Sequence, residues 1–231
     1  VYSGLIERHR KLMNDIVVFR DFCRSIVKKR TEEIQAKQKS MDSNSRRDLV
    51  ELFLEQRLLH PEDSLSDDDI VWEFANFFLG GMDTTGHLIT MACYYYKANP
   101  QYQNQLVEEV NRYFKDPSKV TLDTLNEMEF MAAFMKETLR MAPPAPFLFR
   151  RVALRDHKIG EFMIKKGTVV IPGFIANHYN PKYHEEPDKF DPNRWLTASK
   201  TTQSIANNPF VFTPFSSGAR NCIGQNLAMN E

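Results

Sequence analysis

The sequence has little cysteine and no excess charge of either sign. Only three cysteines occur in 231 residues, and no two of them have a C-x-x-C spacing, so neither a disulfide framework nor a structural zinc site is indicated. Thirty basic residues balance thirty acidic ones, which argues against binding to nucleic acid through bulk charge. The composition is typical of a globular protein in a reducing compartment, and no nucleic-acid partner is expected.

Long apolar runs and nucleotide-binding motifs are also missing. The charge-free stretches 74–82 and 84–96 are each shorter than the roughly 18 residues that a membrane-spanning helix needs. No N-x-[ST], G-x-G-x-x-G or G-x-x-x-x-G-K-[ST] pattern occurs, and the six histidines have no ligand spacing such as H-E-x-x-H. We therefore expect no membrane span, no nucleotide site and no histidine metal site in this segment.

Helical periodicity dominates the first part of the chain. Apolar residues at helical spacing predict five helices, at 14–38, 46–59, about 67–99, 101–114 and 122–141. Polar residues predict a loop at 39–45. The third helix begins at an acidic run, which favours a helix N-terminus, and Pro100 ends it. Gly80 and Gly81 in its middle cost about 1 kcal/mol each relative to alanine, which indicates that something packs closely against this helix.

The pattern changes after Pro143 and Pro144. Residues 162–164 and 168–171 flank Gly167 and predict a short β-hairpin. From 181 to 215 the chain is rich in proline, asparagine and serine with little periodicity. That composition predicts an irregular stretch of a length that is uncommon unless it is functional.

A dense group of motif residues occurs at 215–224, with the sequence F-S-S-G-A-R-N-C-I-G. Cys222 is expected at the start of a helix, where backbone N–H groups and the nearby Arg220 favour a thiolate. Gly218 and Gly224 would let a large flat group lie close to the backbone. A lone cysteine is more often an inert buried thiol, but here the whole pattern F-x-x-G-x-R-x-C-x-G is filled. We expect a thiolate that is ready to bind a metal.

This ten-residue pattern resembles the haem-binding loop of the cytochrome P450 family, in which the cysteine thiolate is the axial ligand of the haem iron. Three other segments have the family's order and spacing. G-G-M-D-T-T at 80–85 resembles the oxygen-activating stretch of the central helix. E-T-L-R at 137–140 and P-N-R-W at 192–195 resemble the E-x-x-R helix and the later P-x-R-[FW] segment. The resemblance covers the chain from Gly80 to Gly224.

The resemblance implies which residues bind the cofactor, haem b, and which handle protons. Asp83 and Thr84 would deliver protons, although such a pair is more often a polar helix face. The implied haem contacts are Gly81, Arg151, Phe215, Gly218, Arg220 and Cys222, the last as ligand of the iron. Arg151 or Arg220 would bond a haem propionate, since a guanidinium binds carboxylates bidentately. The adjacent Arg150 is the alternative to Arg151.

A structural role is implied for Glu137, Arg140 and Arg194. Glu137 and Arg140 are three residues apart, close enough to pair on one helix face. Most such pairs lie on the surface and are worth under about 1 kcal/mol. In the family the later arginine joins the pair in a buried network, so the resemblance implies that these three residues hold the irregular stretch under the haem.

By resemblance, the fold is mainly α with a small β component, and it is the cytochrome P450 fold, incomplete at both ends. The chain starts at Val1 rather than at a methionine, and we expect roughly half of the enzyme. Its single partial domain 1–231 would comprise a helical region 1–142, a small β and irregular region 143–214, and the cysteine loop with the start of the final helix at 215–231.

The function implied by the resemblance is monooxygenation, in which one oxygen atom from O2 enters an apolar organic substrate. Electrons would come from an NADPH-dependent P450 reductase. The enzyme would be of the eukaryotic microsomal kind, on the cytosolic face of the endoplasmic reticulum membrane, held by an anchor that precedes Val1, and this segment alone would be inactive. Two alternatives are a non-catalytic or decayed helical scaffold and a haem-thiolate isomerase or peroxygenase that needs no reductase. Intact Cys222, Asp83 and Thr84 argue against both.

Overall fold

The structure, a computed structural model, describes residues 2–37, 47–63, 65–116, 119–147, 150–196 and 198–231. The loop predicted at 39–45 lies outside these ranges. The α-helices in the described ranges are α1 (Tyr2–Lys37), α2 (Leu49–Leu59), α3 (Asp67–Ala98), α4 (Gln103–Tyr113), α5 (Leu122–Asn126), α6 (Glu129–Met141), α7 (Ile175–His178), α8 (Lys200–Asn207) and α9 (Gln225–Asn230). Four short strands accompany them, so the prediction of a mainly α fold with a small β component is confirmed.

Residues Val1–Met82 form the first of two compact units. Helix α1 begins at Tyr2, twelve residues before the predicted start, and the side chains of residues 6–18 are exposed. The core of this unit consists of Cys23, Val27, Ile34, Val50, Ile70, Val71 and Ala75. Ser66 and Asp69 exchange hydrogen bonds at the start of α3, which explains why the acidic run marks that helix correctly.

Residues Asp83–Glu231 form the second unit. Its core is built from Leu106, Phe130, Phe134 and Phe190, so α4 and α6 pack against the irregular region. The single helix predicted at 122–141 is wrong, because two helices occupy this segment. The carboxylate of Glu109 on α4 accepts the backbone N–H groups of Phe130 and Met131 at 2.9 and 2.7 Å. This cap from another helix starts α6 as a separate element.

The β component consists of two antiparallel pairs. Strand β1 (Arg151–Val152) pairs with β4 (Val169–Val170), and β2 (His157–Ile159) pairs with β3 (Phe162–Ile164). The predicted hairpin between 162–164 and 168–171 is therefore wrong. Gly160 has a φ of +57° and permits the tight turn that pairs β3 with the preceding strand.

The stretch from 181 to 215 is less irregular than predicted. It contains α8, whose N-cap Ser199 accepts from the backbone of Thr202, and the 3-10 turns Pro192–Trp195 and Pro209–Val211. These elements are short and are capped by side chains, so they leave little hydrophobic periodicity in the sequence. Of the helices in the described ranges, none combines the length and apolar character needed to span a bilayer.

Candidate functional site

The cysteine loop lies between the 3-10 turn Pro209–Val211 and α9. The backbone N–H of Cys222 donates to the carbonyl of Phe215 over 2.9 Å, and that of Asn221 donates to Gly218 over 3.1 Å. Helix α9 begins at Gln225, so the expectation that Cys222 stands at a helix start is wrong. The short loop 215–222 is closed by its own backbone hydrogen bonds, and its cysteine thiol is exposed.

Two residues of this loop have a left-handed backbone. Gly218 has a φ of +84° and Ser216 a φ of +66°, a conformation that glycine adopts without steric cost. A Cβ placed on Gly224 would lie 3.9 Å from the Sγ of Cys222. Gly218 therefore turns the loop, and Gly224 leaves the space beside the Cys222 thiol open.

Two arginines that the sequence assigns to haem carboxylates lie in exposed positions. Arg151 is on strand β1, and Arg220 is two residues before Cys222. Within the described ranges, neither guanidinium forms an ion pair with a carboxylate, and the same is true of Arg150. All three are thus available to an acidic ligand.

The glycines of α3 face open space. A Cβ built on Gly80 or on Gly81 would meet no described heavy atom within 4 Å. No side chain in the described ranges therefore explains why these two positions need glycine. Asp83 and Thr84 follow on the same helix with exposed side chains, whereas Thr85 is buried.

Glu137 and Arg140 form a fully buried ion pair on α6. Arg140 Nε and Nη2 donate to the two carboxylate oxygens of Glu137 over 2.9 and 2.8 Å. Arg194 Nε joins from the turn Pro192–Trp195, 2.9 Å from Glu137 Oε1. The structure thus brings together the three residues to which the resemblance gives a structural role.

Two further donors to Glu137 were not singled out from the sequence. Trp195 Nε1 donates to Glu137 Oε2 and the backbone N–H of Asp191 donates to Oε1, both over 2.9 Å. We call Glu137, Arg140, Arg194 and Trp195 the Glu137 cluster. Because removal of one partner from a buried ion pair costs about 3–5 kcal/mol, the cluster holds α6 and the turn Pro192–Trp195 firmly together.

The arginines of the Glu137 cluster also bind the main chain. Arg140 Nη1 donates to the carbonyls of His178 and Pro187 over 2.8 and 2.7 Å. Arg194 Nη1 donates to the carbonyl of Glu185 over 2.8 Å, and both arginines reach the carbonyl of Lys189 over 3.1 Å. These bonds fix the irregular chain from 178 to 189 around two guanidinium groups.

Two buried histidines lie beside the Glu137 cluster. His178 Nδ1 is 3.1 Å from the carbonyl oxygen of Arg140, to which it donates, and His184 Nδ1 is 3.1 Å from Thr201 Oγ1. The Nε2 atoms of both histidines are buried and have no hydrogen-bond partner among the described residues. Burial lowers the pKa of His178 to about 4 and that of His184 to about 3. The spacing of these histidines in the sequence matches no metal site and gives no indication that they are buried.

The residues of the second unit suit a flat, acidic, metal-bearing group. Cys222 supplies an exposed thiol that can ligate a metal, and Arg151 and Arg220, which form no ion pair among the described residues, can bind carboxylates. No group of three or more potential metal ligands occurs in the described ranges. These features, together with the open side of Gly218, fit a haem.

Comparison with known proteins gives a consistent result. The sequence profile of the cytochrome P450 family matches residues 1–231. Cytochrome P450 3A13 of Mus musculus is 34% identical over 93% of this chain and 41% of its own length. Cytochrome P450 4F5 of Rattus norvegicus is 34% identical over 93% of this chain and 40% of its own length, and cytochrome P450 4F12 of Homo sapiens is 35% identical over 78% and 34%. The chain thus spans about two fifths of the length of the curated relatives that it matches.

Proposed function

Because this chain belongs to the cytochrome P450 family, we propose that it supplies the thiolate ligand and the proton-delivering residues of a haem-thiolate monooxygenase. Family membership supports a haem cofactor and oxidoreductase chemistry in general. Since the chain covers about two fifths of its relatives, the activity of the whole protein is part of this proposal. The reaction would insert one oxygen atom from O2 into a small apolar organic substrate.

The observation that carries the proposal is the geometry of the cysteine loop. Cys222 stands in a loop closed by its own hydrogen bond to Phe215, with an exposed thiol and no side chain at Gly224 to cover it. In our proposal the thiolate of Cys222 would ligate the iron of haem b. When bound, the haem supplies the oxygen-activating chemistry, which thiolate ligation favours.

Other residues of the chain would bind the haem without ligating its iron. The exposed guanidiniums of Arg151 and Arg220 would each bind a propionate as a charge-assisted, bidentate pair. Gly81 would add no side chain on α3 at the haem, and the half-buried Phe215 and the positive φ of Gly218 would shape the loop that carries Cys222. Together they would orient the haem and exclude water from one side of it.

Asp83 and Thr84 would hold and move protons. They are adjacent on α3, directly after the glycine pair, and both side chains are exposed in the described structure. The hydroxyl of Thr84 can donate and accept a hydrogen bond, and the carboxyl of Asp83 can take a proton from solvent and pass it on. Glu137, Arg140 and Arg194 would contribute only by holding the irregular region in place.

The proposed partners follow from the family rather than from a surface of this chain. An NADPH-dependent P450 reductase would supply electrons, and the protein would work at the cytosolic face of the endoplasmic reticulum membrane. A membrane anchor would hold it there.

Replacement of Cys222 tests the proposal in the full-length protein. Cys222→Ser should abolish the thiolate-type absorbance of the reduced, CO-bound protein, because serine does not offer a thiolate. The matched control is Cys93→Ser, which changes another exposed cysteine and should leave the spectrum intact. A Cys222→Ser protein with the wild-type spectrum would exclude this residue as ligand.

The wild-type protein in the same assay separates the alternatives. A wild-type spectrum without a thiolate-type band would point to a helical scaffold. A thiolate-type band with turnover that needs neither reductase nor NADPH would point to an isomerase or peroxygenase. The proposal expects both the band and the dependence on reductase.

A further inference from the structure

Charge in the Glu137 cluster does not balance within the cluster itself. Glu137 contributes one negative charge, Arg140 and Arg194 contribute two positive charges, and all three side chains are buried. Further N–H groups of the guanidiniums donate to main-chain carbonyls, which supply dipoles but no charge. Because an uncompensated buried charge is costly, a second carboxylate is expected next to the cluster.

Asp191 is an acidic residue that contacts the cluster through its main chain. Its backbone N–H donates to Glu137 Oε1 over 2.9 Å. Its half-buried carboxylate is the N-cap of the turn Pro192–Trp195 and accepts from the backbone N–H of Asn193 over 3.1 Å. The same turn carries the donors Arg194 and Trp195. Asp191 therefore links the turn to Glu137 through its backbone and caps that turn with its side chain.

Tyr102 fixes this carboxylate from a distant part of the sequence. It ends the 3-10 turn Pro100–Tyr102 before α4, and its hydroxyl donates to Asp191 Oδ1 over 2.9 Å. Its ring lies 6.1 Å from the ring of Phe130 and 6.4 Å from that of Phe190, between centroids. Burial and the hydrogen bond to Asp191 raise the pKa of Tyr102 to about 12, so the hydroxyl remains a donor at physiological pH.

We propose that Tyr102 and Asp191 are a positioning pair for the haem-thiolate site and act through Arg194 and Trp195. The pair holds the turn Pro192–Trp195 so that both donors reach Glu137, and the chain continues from this turn towards Cys222. Tyr102 and Asp191 do not ligate the haem. They hold the chain between the turn Pro192–Trp195 and Cys222 in one conformation. The inference rests on the proposed function.

The test uses the full-length holoprotein and compares Tyr102→Phe and Asp191→Asn with Tyr94→Phe. Tyr102→Phe removes one hydroxyl from a packed ring, Asp191→Asn removes the charge but keeps a capping oxygen, and Tyr94 is an exposed tyrosine that serves as the matched control. For the two test variants we expect haem to dissociate about fivefold faster, as the loss of one net hydrogen bond predicts. We also expect a larger fraction of the reduced, CO-bound protein to lose its thiolate-type band, with the far-UV circular dichroism unchanged.

A double variant shows whether the two residues act as one unit. If they do, Tyr102→Phe with Asp191→Asn should release haem no faster than the more affected single variant. The proposal is overturned if Tyr102→Phe matches the Tyr94→Phe control in haem dissociation and in its CO spectrum, even with a lower melting temperature. A wild-type protein without a thiolate-type band would instead refute the proposed function, so the two failures are distinguishable.

Discussion

Acid should destabilise this fold through the two histidines beside the Glu137 cluster. His178 and His184 are fully buried. His178 lies between the rings of Phe174 and Phe212, with centroid distances of 5.3 and 5.1 Å, and the guanidinium of Arg140 also disfavours its protonation. His184 is affected in the same way by burial and then by Arg140 and Arg194. In the part of the chain that the structure describes, neither Nε2 has an acceptor for an added proton.

The sign and size follow from the pKa values in the two states. An unfolded histidine has a pKa near 6.5, whereas the folded values are about 4 for His178 and about 3 for His184. The unfolded state therefore binds more protons below pH 6.5, and stability falls as the pH drops. Between pH 7 and about pH 5, protonation of each histidine in the unfolded state should lower the free energy of unfolding by about 2 kcal/mol. The two histidines together should lower it by about 4 kcal/mol. The free energy of unfolding stops falling on account of these histidines once the pH is below both of their folded pKa values.

The assay is urea unfolding of the haem-free full-length protein, so that haem release adds no pH dependence of its own. The free energy of unfolding would be compared at about pH 7 and pH 5 for wild type, His178→Asn and His184→Asn. Asparagine keeps a polar atom near the position of Nδ1 but does not titrate. Each variant should lose about 2 kcal/mol less than wild type between the two pH values, whatever its stability at pH 7.

The exposed His9 provides the control. His9→Asn should show the full wild-type difference between the two pH values, since an exposed side chain meets solvent in both the folded and the unfolded state. If the two buried variants showed the same pH difference as His9→Asn, these histidines would not be held neutral in the fold, and the argument would be refuted.

Three further predictions concern other parts of the chain. Glu109→Ala removes the carboxylate that caps α6 and should lower the free energy of unfolding by about 1–2 kcal/mol in urea titration, whereas the exposed neighbour Glu108→Ala should change it by less than about 0.5 kcal/mol. In the full-length protein, Thr84→Ala should keep the thiolate-type band but let NADPH consumption and peroxide release exceed product formation; unchanged coupling would contradict its role in proton delivery. The 231 residues alone expose apolar side chains such as Ile6 and Val18 and should take up haem weakly and heterogeneously in a titration; a monodisperse product with one haem per chain would contradict this.

Local signals in the sequence located most helices but not their exact ends. The start of α3 was found because Ser66 and the acidic run act within one turn of the helix. The break between α5 and α6 was missed because its cause, the carboxylate of Glu109, lies on another helix. The pairing of β3 was missed because two glycines, Gly160 and Gly167, both have positive φ, and only the folded chain shows which turn joins paired strands.

The candidate site shows the same division between local and distant causes. The pairing of Glu137 with Arg140 follows from their spacing on one helix. Arg194 could be assigned to them only through the family resemblance, because it lies 57 residues away in sequence. Asp191 and Tyr102 belonged to no motif, and their hydrogen bond joins residues 89 positions apart. Such partners are set by tertiary packing, which periodicity and spacing do not encode.

The way the Glu137 cluster binds the main chain also limits how this protein can evolve. Many ion pairs can exchange their charges through two compensating substitutions. Here Arg140 donates to the carbonyls of His178 and Pro187, and no substitution can turn a carbonyl oxygen into a donor. A swap of Glu137 and Arg140 would place a carboxylate against those oxygens, so the second change would not rescue the first. Sequence drift in this region is therefore confined to the residues around the cluster, and its acid and base stay in fixed places.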